Sequence, residues 1–474
     1  MPNHISANFA PFEERMRREG LPDITIENFR YYYDVLSSGG VGRIAESEIA
    51  PVESVPDIND LATYVEGGRA AIGRAVVLKL NGGLGTSMGL DKAKSLLVAR
   101  NQLTFLDIIV RQTIGFGREF GRAIPLVLMN SFNTDEDTRE VLARYPELRG
   151  PLPLTLMQHK IPKILQETLE PASWPEDPQL EWCPPGHGEV YIALAISGLL
   201  DSLLEHGYEY LFMSNVDNLG ATIDLGILGY LADKQIPFLM EVTGRTEADK
   251  KGGHIARQKD GQLILREIAQ CPEADLPAFQ DVRRHKYFNT NNIWVNLARL
   301  KEIMVENDNV FKLPMIRNGK TVDPKDPASP AVFQLETAMG AAIAVFPGAQ
   351  VLRVNRDRFM PVKTCDDLLR LRSDLYTLDE SCRIRATTAG EPPVVELDPR
   401  YYRSIDDFEQ RFPAGAPSLR ECCRLSVKGN VLFGRGVVCR GGVQIVNRLD
   451  AQRRLPDGSI LQDIDLDLSA RVAA

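Results

Sequence analysis

Residues 80–95, LNGGLGTSMGLDKAKS, carry four glycines and two lysines directly after the apolar run 75–78. Glycine lets the backbone adopt positive φ and bring its N–H groups close to an anion, while Lys92 and Lys94 add mobile positive charge. The Walker A pattern GxxxxGK[ST] does not fit this spacing, and Met88 stands where the dinucleotide pattern GxGxxG needs its third glycine. The stretch therefore predicts a phosphate-binding loop after a strand, with a plain glycine-rich turn as the alternative.

A carboxylate stands at the end of a second apolar run. Asp217 lies in the polar turn SNVDN, residues 214–218, which follows the apolar residues 210–213. Mg²⁺ prefers hard oxygen ligands and shares its coordination shell with phosphates and water, so one carboxylate can suffice on the protein side. The turn predicts a metal ligand, although an aspartate that caps a turn or helix fits the same pattern.

A histidine between two glycines precedes a helical pattern. His187 lies in PPGHG, residues 184–188, and the pattern continues over residues 189–206. The N-terminus of a helix presents free N–H groups and partial positive charge to an anion. His187 is therefore a candidate contact for a phosphate or a base, with a purely structural histidine as the alternative.

Further polar residues lie in strand-like runs and could hold hydroxyl groups. In FNTNN, residues 288–292, Asn289 and Asn291 would share one face of a strand. Glu241 and Glu267 end or continue apolar runs and could accept from hydroxyls. Lys363, in PVKT, follows an arginine-bearing run and could equally be one more surface cation.

The elements around these residues alternate between strand and helix. From residue 75 onward, apolar runs of strand length are followed by helical patterns, as in 124–129 with 134–145 and 210–213 with 224–233. This alternation predicts βαβ units with a mostly parallel sheet, whose ligands lie beyond the carboxyl ends of the strands. The glycine loop and the Asp217 turn would then share one cleft, with an N-terminal helical layer before them.

Composition limits the class of protein. A chain of 474 residues has room for about two or three domains, and its net charge of −9 argues against a nucleic-acid partner. The N-terminus lacks the apolar core of a signal peptide, and no run reaches the roughly 18 apolar residues needed to span a bilayer. Seven scattered cysteines without a CxxC pair disfavour a disulfide framework or a zinc site. We therefore expect a cytoplasmic protein that acts without a membrane partner.

The C-terminal part has a different repeat. Aliphatic residues recur there every six positions, with glycines between them: Leu425, Val431, Val437, Val443, Leu449, Leu455 and Leu461. Hexad spacing is typical of a parallel β-helix, and a set of glycine-rich hairpins is the alternative. Pro392 and Pro393 predict a linker before it.

Eight motifs together resemble one known family. In order they are LNGGLGTSMG, MNSFNTDE, PPGHG, SNVDNLGAT, KGG, FNTNN, QLETAMGAAI and PVKT, which span roughly residues 70–375. They resemble the UTP–glucose-1-phosphate uridylyltransferases of the eukaryotic type. The resemblance implies an α/β fold, with a Rossmann-like nucleotidyltransferase core built on a mixed, mostly parallel sheet and a C-terminal left-handed parallel β-helix. We place the helical layer at residues 1–70, the catalytic domain at 71–385 and the β-helix domain at 386–474.

The resemblance also implies ligands and roles. The substrates are UTP and glucose 1-phosphate, the products UDP-glucose and pyrophosphate, and the cofactor Mg²⁺, held by Asp217. Catalysis is carried by Lys94, Lys363 and Asp217, with direct in-line attack. The nucleotide-binding positions are Leu80, Asn81, Gly82, Gly83, Lys94, Gln158, Gly186, Gly188 and Asn215. The sugar-phosphate positions are His187, Glu241, Gly253, Glu267, Phe288, Asn289, Asn291 and Lys363.

One departure from the family pattern bears on activity. Ala93 stands where the family usually has proline, so we expect a looser loop before UTP binds. Two rival functions stay open: a pyrophosphorylase for N-acetylhexosamine or several sugar phosphates, and a non-catalytic UDP-sugar-binding regulator. The acidic residues 463–467 would repel each other in a symmetric end-to-end contact, so we expect a monomer or a weak dimer through the C-terminal domain.

Overall fold

The computed structural model describes residues 8–40 and 42–469. Its α-helices are α1 Ala10–Arg18, α2 Asp23–Ser37, α3 Val65–Ala71, α4 Phe105–Glu119, α5 Asp135–Leu142, α6 Val190–Ile196, α7 Leu199–Glu205, α8 Leu225–Lys234, α9 Leu276–Gln280, α10 Leu297–Glu306, α11 Cys365–Arg372, α12 Pro399–Tyr402 and α13 Ile405–Arg411. The predicted helix over residues 189–206 is divided at Gly198, whose φ of 71° is left-handed and ends α6 before α7 begins.

The strands up to residue 300 are β1 Ile49–Pro51, β2 Ala75–Asn81, β3 Val98–Arg100, β4 Leu103–Thr104, β5 Leu126–Asn130, β6 Thr155–Met157, β7 Ile161–Pro162, β8 Ile164–Leu165, β9 Trp182–Cys183, β10 Tyr210–Asn215, β11 Phe238–Gly244, β12 His254–Gln258, β13 Leu263–Arg266 and β14 Tyr287–Asn296. Those after it are β15 Met315–Thr321, β16 Ala331–Thr337, β17 Gln350–Arg353, β18 Tyr376–Leu378, β19 Ile384–Ala386, β20 Val394–Leu397, β21 Ser418–Lys428, β22 Val431–Phe433, β23 Val438–Val446, β24 Arg453–Leu455 and β25 Ile460–Asp467.

The central sheet is mixed, as expected for this α/β fold. Its main path runs β1-β12-β14-β10-β2-β5-β6, with β13 on β12 and with β11 between β14 and β17. The pairings among β10, β2, β5 and β6 are parallel, and so is β11 with β17. Long β14 pairs antiparallel with both β10 and β11. The parallel block therefore forms one half of the sheet, and it is this half that carries the glycine loop.

Both faces of β2 are covered, which explains its continuous apolar sequence. Every residue of β2 is buried. Ala75 and Val77 pack in a core with helix α4, whereas Val76 and Leu78 pack in a second core with helices α6 and α7. Because burial of apolar surface contributes about 25 cal/mol per Å², these two cores hold the strand firmly in the centre of the fold.

Three parallel strands end at the same edge of the sheet, as the sequence predicts. β2, β5 and β10 end at Asn81, Asn130 and Asn215, and the register pairs Asn81 with Asn130 and Asn215 with Leu80. The glycine loop, the SFNT segment and the Asp217 turn follow these strand ends directly. The predicted common cleft beyond the carboxyl ends is therefore confirmed.

The N-terminal segment is helical, but it also contributes a strand to the sheet. α1 and α2 bury Phe12, Phe29 and Tyr33 in a separate core with residues of β7, β9, β15 and β16. Residues 49–51 lie within the predicted helical layer, yet they pair antiparallel with β12 as edge strand β1. No local pattern predicts this strand, because the partner that supplies its hydrogen bonds lies about two hundred residues away in sequence.

The C-terminal part consists of two parallel sheets, in the orders β20-β21-β23-β25 and β22-β24. Hairpins would pair antiparallel, so the hairpin alternative is wrong. Six of the seven hexad residues are buried, and Leu449 is the exception at 38% exposure. The predicted linker prolines lie between β19 and β20.

Within residues 8–40 and 42–469, no single helix has the length and apolar character to cross a bilayer. One bent pair, His187–Ile196 with Leu199–Glu205, passes that test together, and residues 190–194 of it are buried in the core of the protein.

Candidate active site

The glycine loop is held by short backbone contacts. Lys94 donates its N–H to the Gly83 carbonyl at 3.2 Å, and Leu84 forms an isolated antiparallel bridge with Ala93. A Cβ atom on Gly82 would lie 2.8 Å from Gln158 Oε1, so a larger residue here would displace the Gln158 amide. The loop therefore lies directly against Gln158, one of the predicted nucleotide-binding residues.

Two predicted nucleotide contacts lie below the loop instead. Asn81 is fully buried, and its Nδ2 donates to Asn130 Oδ1 at 2.8 Å and to Thr138 Oγ1 at 2.9 Å. Leu80 packs in the core beside α6. Burial of these two side chains places them in support of the loop, so a contact between residues 80–81 and a nucleotide would be made by the backbone. Nucleotide binding at the two positions stays a prediction.

The Lys94 and Asp217 side chains form an ion pair across the cleft. Lys94 Nζ lies 2.8 Å from Asp217 Oδ2, and the two side chains are 15% and 14% exposed. Asp217 Oδ1 is buried and has no hydrogen-bond partner among the described residues. A buried carboxylate oxygen without a donor is suited to a cation, so the residues present fit a Mg²⁺ ion.

No cluster of three or more histidine, cysteine, aspartate or glutamate side chains around a common metal position occurs in residues 8–40 and 42–469. Such a cage is typical of resident structural metals, whereas Mg²⁺ is commonly bound by one or two carboxylates together with substrate phosphates. A single aspartate beside a phosphate-binding loop is consistent with the second arrangement.

The PPGHG segment packs tightly against the QLETAMG segment. Gly186 has a φ of 83°, and a Cβ atom there would lie 2.4 Å from the Thr337 carbonyl oxygen. A Cβ atom on Gly188 would lie 2.5 Å from Thr337 Oγ1. Both glycines are therefore needed for packing. The sequence pattern indicates no role for QLETAMG, and its part in supporting PPGHG appears only in the fold.

His187 is held as a neutral ring. Its Nδ1 accepts the N–H of Met339 at 3.0 Å, and burial lowers the pKa of His187 to about 4. Because Nδ1 is the acceptor, the neutral ring carries its proton on Nε2. His187 can thus donate a hydrogen bond to a ligand without contributing a charge.

Residues 158–159 are joined by hydrogen bonds to residues 186–189. Gln158 Nε2 donates to the Gly186 carbonyl at 2.9 Å, which leaves Oε1 as a free acceptor. The buried Glu189 carboxylate accepts from the backbone N–H of His159 at 3.0 Å and contacts His159 Nδ1 at 2.6 Å. Burial raises the pKa of Glu189, and its bonds from His159 oppose that rise. Glu189 therefore fixes the geometry of the predicted base pocket, a role that the sequence did not suggest.

A second group of predicted residues lies around Glu267. A Cβ atom on Gly253 would lie 2.6 Å from Glu267 Oε1. Burial raises the pKa of Glu267, and the positive charge of Lys363 opposes that rise. Phe288 supports this group, since its ring packs against Phe359 with centroids 5.2 Å apart.

The FNTNN segment is not a regular strand. The register between β11 and β14 shifts between Glu241 and Val242, so residues 290–291 form a bulge. Asn291 has a φ of 57°, and Asn289 Nδ2 donates to Asn291 Oδ1 at 2.8 Å. The two asparagines lie together as predicted, but the bulge brings them there rather than strand alternation.

Glu241 does not face the cleft. Its carboxylate is fully buried and accepts from Arg358 Nε at 2.8 Å, Arg358 Nη2 at 2.6 Å, Trp294 Nε1 at 2.9 Å and Asn292 Nδ2 at 3.0 Å. Every acceptor position is therefore used within the protein. The prediction that Glu241 accepts from a sugar hydroxyl is wrong, because Arg358 bonds to both carboxylate oxygens through two of its nitrogens.

Lys363 is exposed and stands just before helix α11. Its N–H donates to Asp367 Oδ2 at 2.8 Å, within the N-terminal cap of that helix. Asn215, at the end of β10, is partly exposed on the same side as the Asp217 turn. The described site thus brings together a glycine loop, a lysine–aspartate pair, an amide acceptor and a second lysine, which is the class of site that binds a nucleotide and a phosphorylated partner.

Comparison with known proteins identifies the family. Residues 26–440 match the family described as UTP–glucose-1-phosphate uridylyltransferase. The chain is 42% identical over 402 residues to the enzyme of that name from Hordeum vulgare, covering 84% of this chain and 83% of that protein. It is 41% identical over 395 residues to the one from Saccharomyces cerevisiae, covering 83% and 78%. The chain belongs to the UTP–glucose-1-phosphate uridylyltransferase family.

Solved structures agree with this assignment. A variant of UDP-glucose pyrophosphorylase from Leishmania major in complex with UDP-glucose matches with a TM-score of 0.92 at 46% identity, covering 98% of this chain and 100% of that one. The UDP-glucose phosphorylase of Trypanosoma brucei matches with a TM-score of 0.88 at 44% identity, with the same coverage.

Proposed function

We propose that this protein transfers the uridylyl group of UTP to glucose 1-phosphate and releases UDP-glucose and pyrophosphate. The observation that carries the proposal is the ion pair between Lys94, in the glycine loop after β2, and Asp217, in the turn after β10, with one Asp217 oxygen unpaired within the described chain. Family membership and the UDP-glucose complex of a close structural relative support the substrates.

The uracil base would be read beside the glycine loop. Gln158 Oε1 is a free acceptor because its Nε2 is used by Gly186, and it lies against Gly82. Uracil presents an N3–H donor between two carbonyls, so one fixed acceptor with neighbouring backbone groups suits that edge. Gly83, Gly186 and Gly188 would allow the base and the phosphates to approach the backbone closely.

The sugar would lie on the other side of the cleft. Asn289, Asn291 and Glu267 form a polar group there, and Gly253 leaves the Glu267 carboxylate uncovered. Amide and carboxylate groups held by a bulge and by packing can bind hydroxyls without much loss of conformational freedom on binding.

The reaction would proceed by direct displacement. A phosphate oxygen of glucose 1-phosphate attacks the α-phosphorus of UTP, and the bond from that phosphorus to the α,β-bridging oxygen breaks. Pyrophosphate leaves with the electron pair. Lys94 would stabilise the leaving pyrophosphate and Lys363 the charge on the transferring group. Asp217 would hold Mg²⁺, which when bound supplies divalent positive charge to the phosphate oxygens.

The deciding experiment measures pyrophosphate release from UTP with a panel of sugar 1-phosphates. We expect glucose 1-phosphate to be turned over at least tenfold more efficiently than N-acetylglucosamine 1-phosphate. A preference for the N-acetylated sugar would support the first rival instead. A protein that binds UDP-glucose in calorimetry but releases no pyrophosphate with any sugar would be the regulator.

The neutral state of His187 leads to a pH prediction. The change His187→Ala should lower kcat/KM about tenfold, because the Nε2 donor is lost. The loss should be the same at pH 6 and pH 8, since a pKa of about 4 keeps the ring neutral at both. A histidine with an ordinary pKa would instead contribute more at pH 6. The exposed His206, changed to Ala, is the control, and a loss that grows toward pH 6 would contradict the neutral assignment.

Ala93 allows the family's proline to be tested directly. Its φ of −52° lies within the range that proline adopts. The change Ala93→Pro should therefore raise the free energy of unfolding by about 0.5–1 kcal/mol and lower the dissociation constant of UTP several-fold, because the free loop becomes more restricted. Calorimetric titration with UTP checks this, and weaker UTP binding with a lowered melting temperature would show that the ring does not fit.

We also propose that the C-terminal sheets are coils of a left-handed parallel β-helix. Leu425 pairs with Val443, three hexads further along the chain, which supports a three-sided coil. Aspartates on the outer strand β25 would oppose a symmetric contact, so we propose a monomer or weak dimer, with light scattering at micromolar concentration as the check. A stable large assembly at high dilution would overturn this.

A further inference from the structure

A buried amide joins the two loops that carry Asp217 and Lys363. Asn218 follows Asp217 directly and is only 2% exposed. Its Nδ2 donates to the Arg358 carbonyl at 3.0 Å and to Asn292 Oδ1 at 3.2 Å, and its Oδ1 accepts the N–H of Met360 at 2.9 Å. One side chain therefore holds residues 358–360 against the Asp217 turn.

The backbone extends this contact toward Lys363. Val362 donates its N–H to the Asp217 carbonyl at 3.1 Å, and Asn218 forms an isolated antiparallel bridge with Pro361. On the other side, Lys363 is fixed by its N–H bond to Asp367 in the cap of α11. The exposed lysine is thus positioned between the helix cap and the contacts of Asn218.

The segment is also anchored from below. The ion pair between Arg358 and Glu241 holds residues 358–360 to β11. Asn292 Nδ2 donates to the same Arg358 carbonyl at 3.1 Å. On the Asp217 side, buried Lys79 donates from Nζ to Ser214 Oγ at 2.6 Å and to the Ala221 carbonyl at 2.7 Å, which joins the two ends of the turn. Asn218 therefore connects residues 358–360, which are held to β11, with the Asp217 turn, which is held by Lys79.

We propose that Asn218 is a positioning residue that sets the place of Lys363 relative to Asp217 during uridylyl transfer. Asn218 is too deeply buried to touch a substrate, so it acts through the lysine. A displacement of about 1 Å in a catalytic group can cost on the order of a hundredfold in rate, which makes such a link consequential. This inference rests on the proposed function.

The test is a double-mutant cycle between Asn218→Ala and Lys363→Ala. In the wild-type background we expect Asn218→Ala to lower kcat about thirtyfold with less than a threefold change in KM for UTP. In the Lys363→Ala background the same substitution should lower kcat less than twofold, because no lysine remains to be misplaced. An equal loss in both backgrounds, or no loss in the wild-type background, would overturn the proposal.

Asn447→Ala is the matched control. Asn447 is 4% exposed, and its amide also donates twice, to the carbonyls of Asn430 and Ala451, and accepts once, from Leu449 N–H. We expect it to lower the melting temperature about as much as Asn218→Ala while kcat stays within twofold of wild type. Asn218→Ser takes the place of the alanine variant if the latter does not fold.

Hydrogen exchange separates this proposal from the proposed function. In Asn218→Ala the amide of Met360 should exchange at least tenfold faster than in wild type, and unchanged protection over residues 359–362 would overturn the link whatever the activity. If wild-type protein releases no pyrophosphate, the proposed function fails, and the exchange result still decides whether Asn218 holds the segment.

Discussion

Asp217→Asn is expected to lower kcat more than about a thousandfold while the protein stays folded. The substitution keeps the shape of the side chain but removes its charge, and with it the hard oxygen ligand and the partner of Lys94. A thousandfold loss corresponds to about 4 kcal/mol of transition-state stabilisation, which is a reasonable value for a site whose catalysis is mostly electrostatic.

The measurement is steady-state pyrophosphate release across a Mg²⁺ titration, with the melting temperature recorded in parallel. Asp135→Asn is the matched control, since Asp135, the first residue of helix α5, also pairs with a cation, Arg139, at 2.6 Å and is 19% exposed. We expect the control to stay within threefold of wild type. Rates near wild type in Asp217→Asn, or full recovery at high Mg²⁺, would remove the assignment of Asp217 as the main metal ligand.

Lys363→Ala is expected to lower kcat on the order of a hundredfold, with only a few-fold change in KM for UTP. Lys363 is exposed, so its removal should cost little stability, and its charge would matter most when negative charge develops during transfer. The loss of this cation should also raise the pKa of Glu267 further, because Lys363 opposes the effect of burial on that carboxyl.

The check is a comparison of kcat and KM for both substrates, with Lys320→Ala as the control at an exposed lysine on β15. We expect Lys320→Ala to behave as wild type. A change confined to KM would make Lys363 a binding residue, and a Lys363→Ala enzyme with unaltered kinetics would contradict the role altogether.

The positions of the chemical groups along the chain could be predicted because they depend on local pattern. A glycine-rich segment after an apolar run, and a polar turn after another, place ligand groups at strand ends, and parallel strands bring those ends together. For this reason the sequence alone predicts that the glycine loop and Asp217 share one cleft, as they do in the fold.

The errors concern contacts between distant segments. Glu241 ends an apolar run, as a ligand-facing residue would, but Arg358 reaches its carboxylate from more than a hundred residues away. The bulge at Asn291 depends on the register between β11 and β14, which no local pattern encodes. Burial of the Asn81 amide likewise follows from its bonds to Asn130 and Thr138. Each of these depends on the partner that a residue meets, and not on its own type or spacing.

The strand order constrains how the chain folds during synthesis. β2 has its neighbours β5 and β10 on either side, and β14 must follow before β10 is covered, so the centre of the sheet is completed only when most of the catalytic region has left the ribosome. The apolar strand β2 keeps an open edge until β10 pairs with it, and β10 keeps one until β14 follows, which exposes the nascent chain to aggregation and to chaperone binding. The C-terminal coils pair only with their sequence neighbours and can form as soon as they emerge. We therefore expect the C-terminal coils to fold soon after they are synthesised, whereas β2, which is synthesised early, pairs fully only after β10 has emerged.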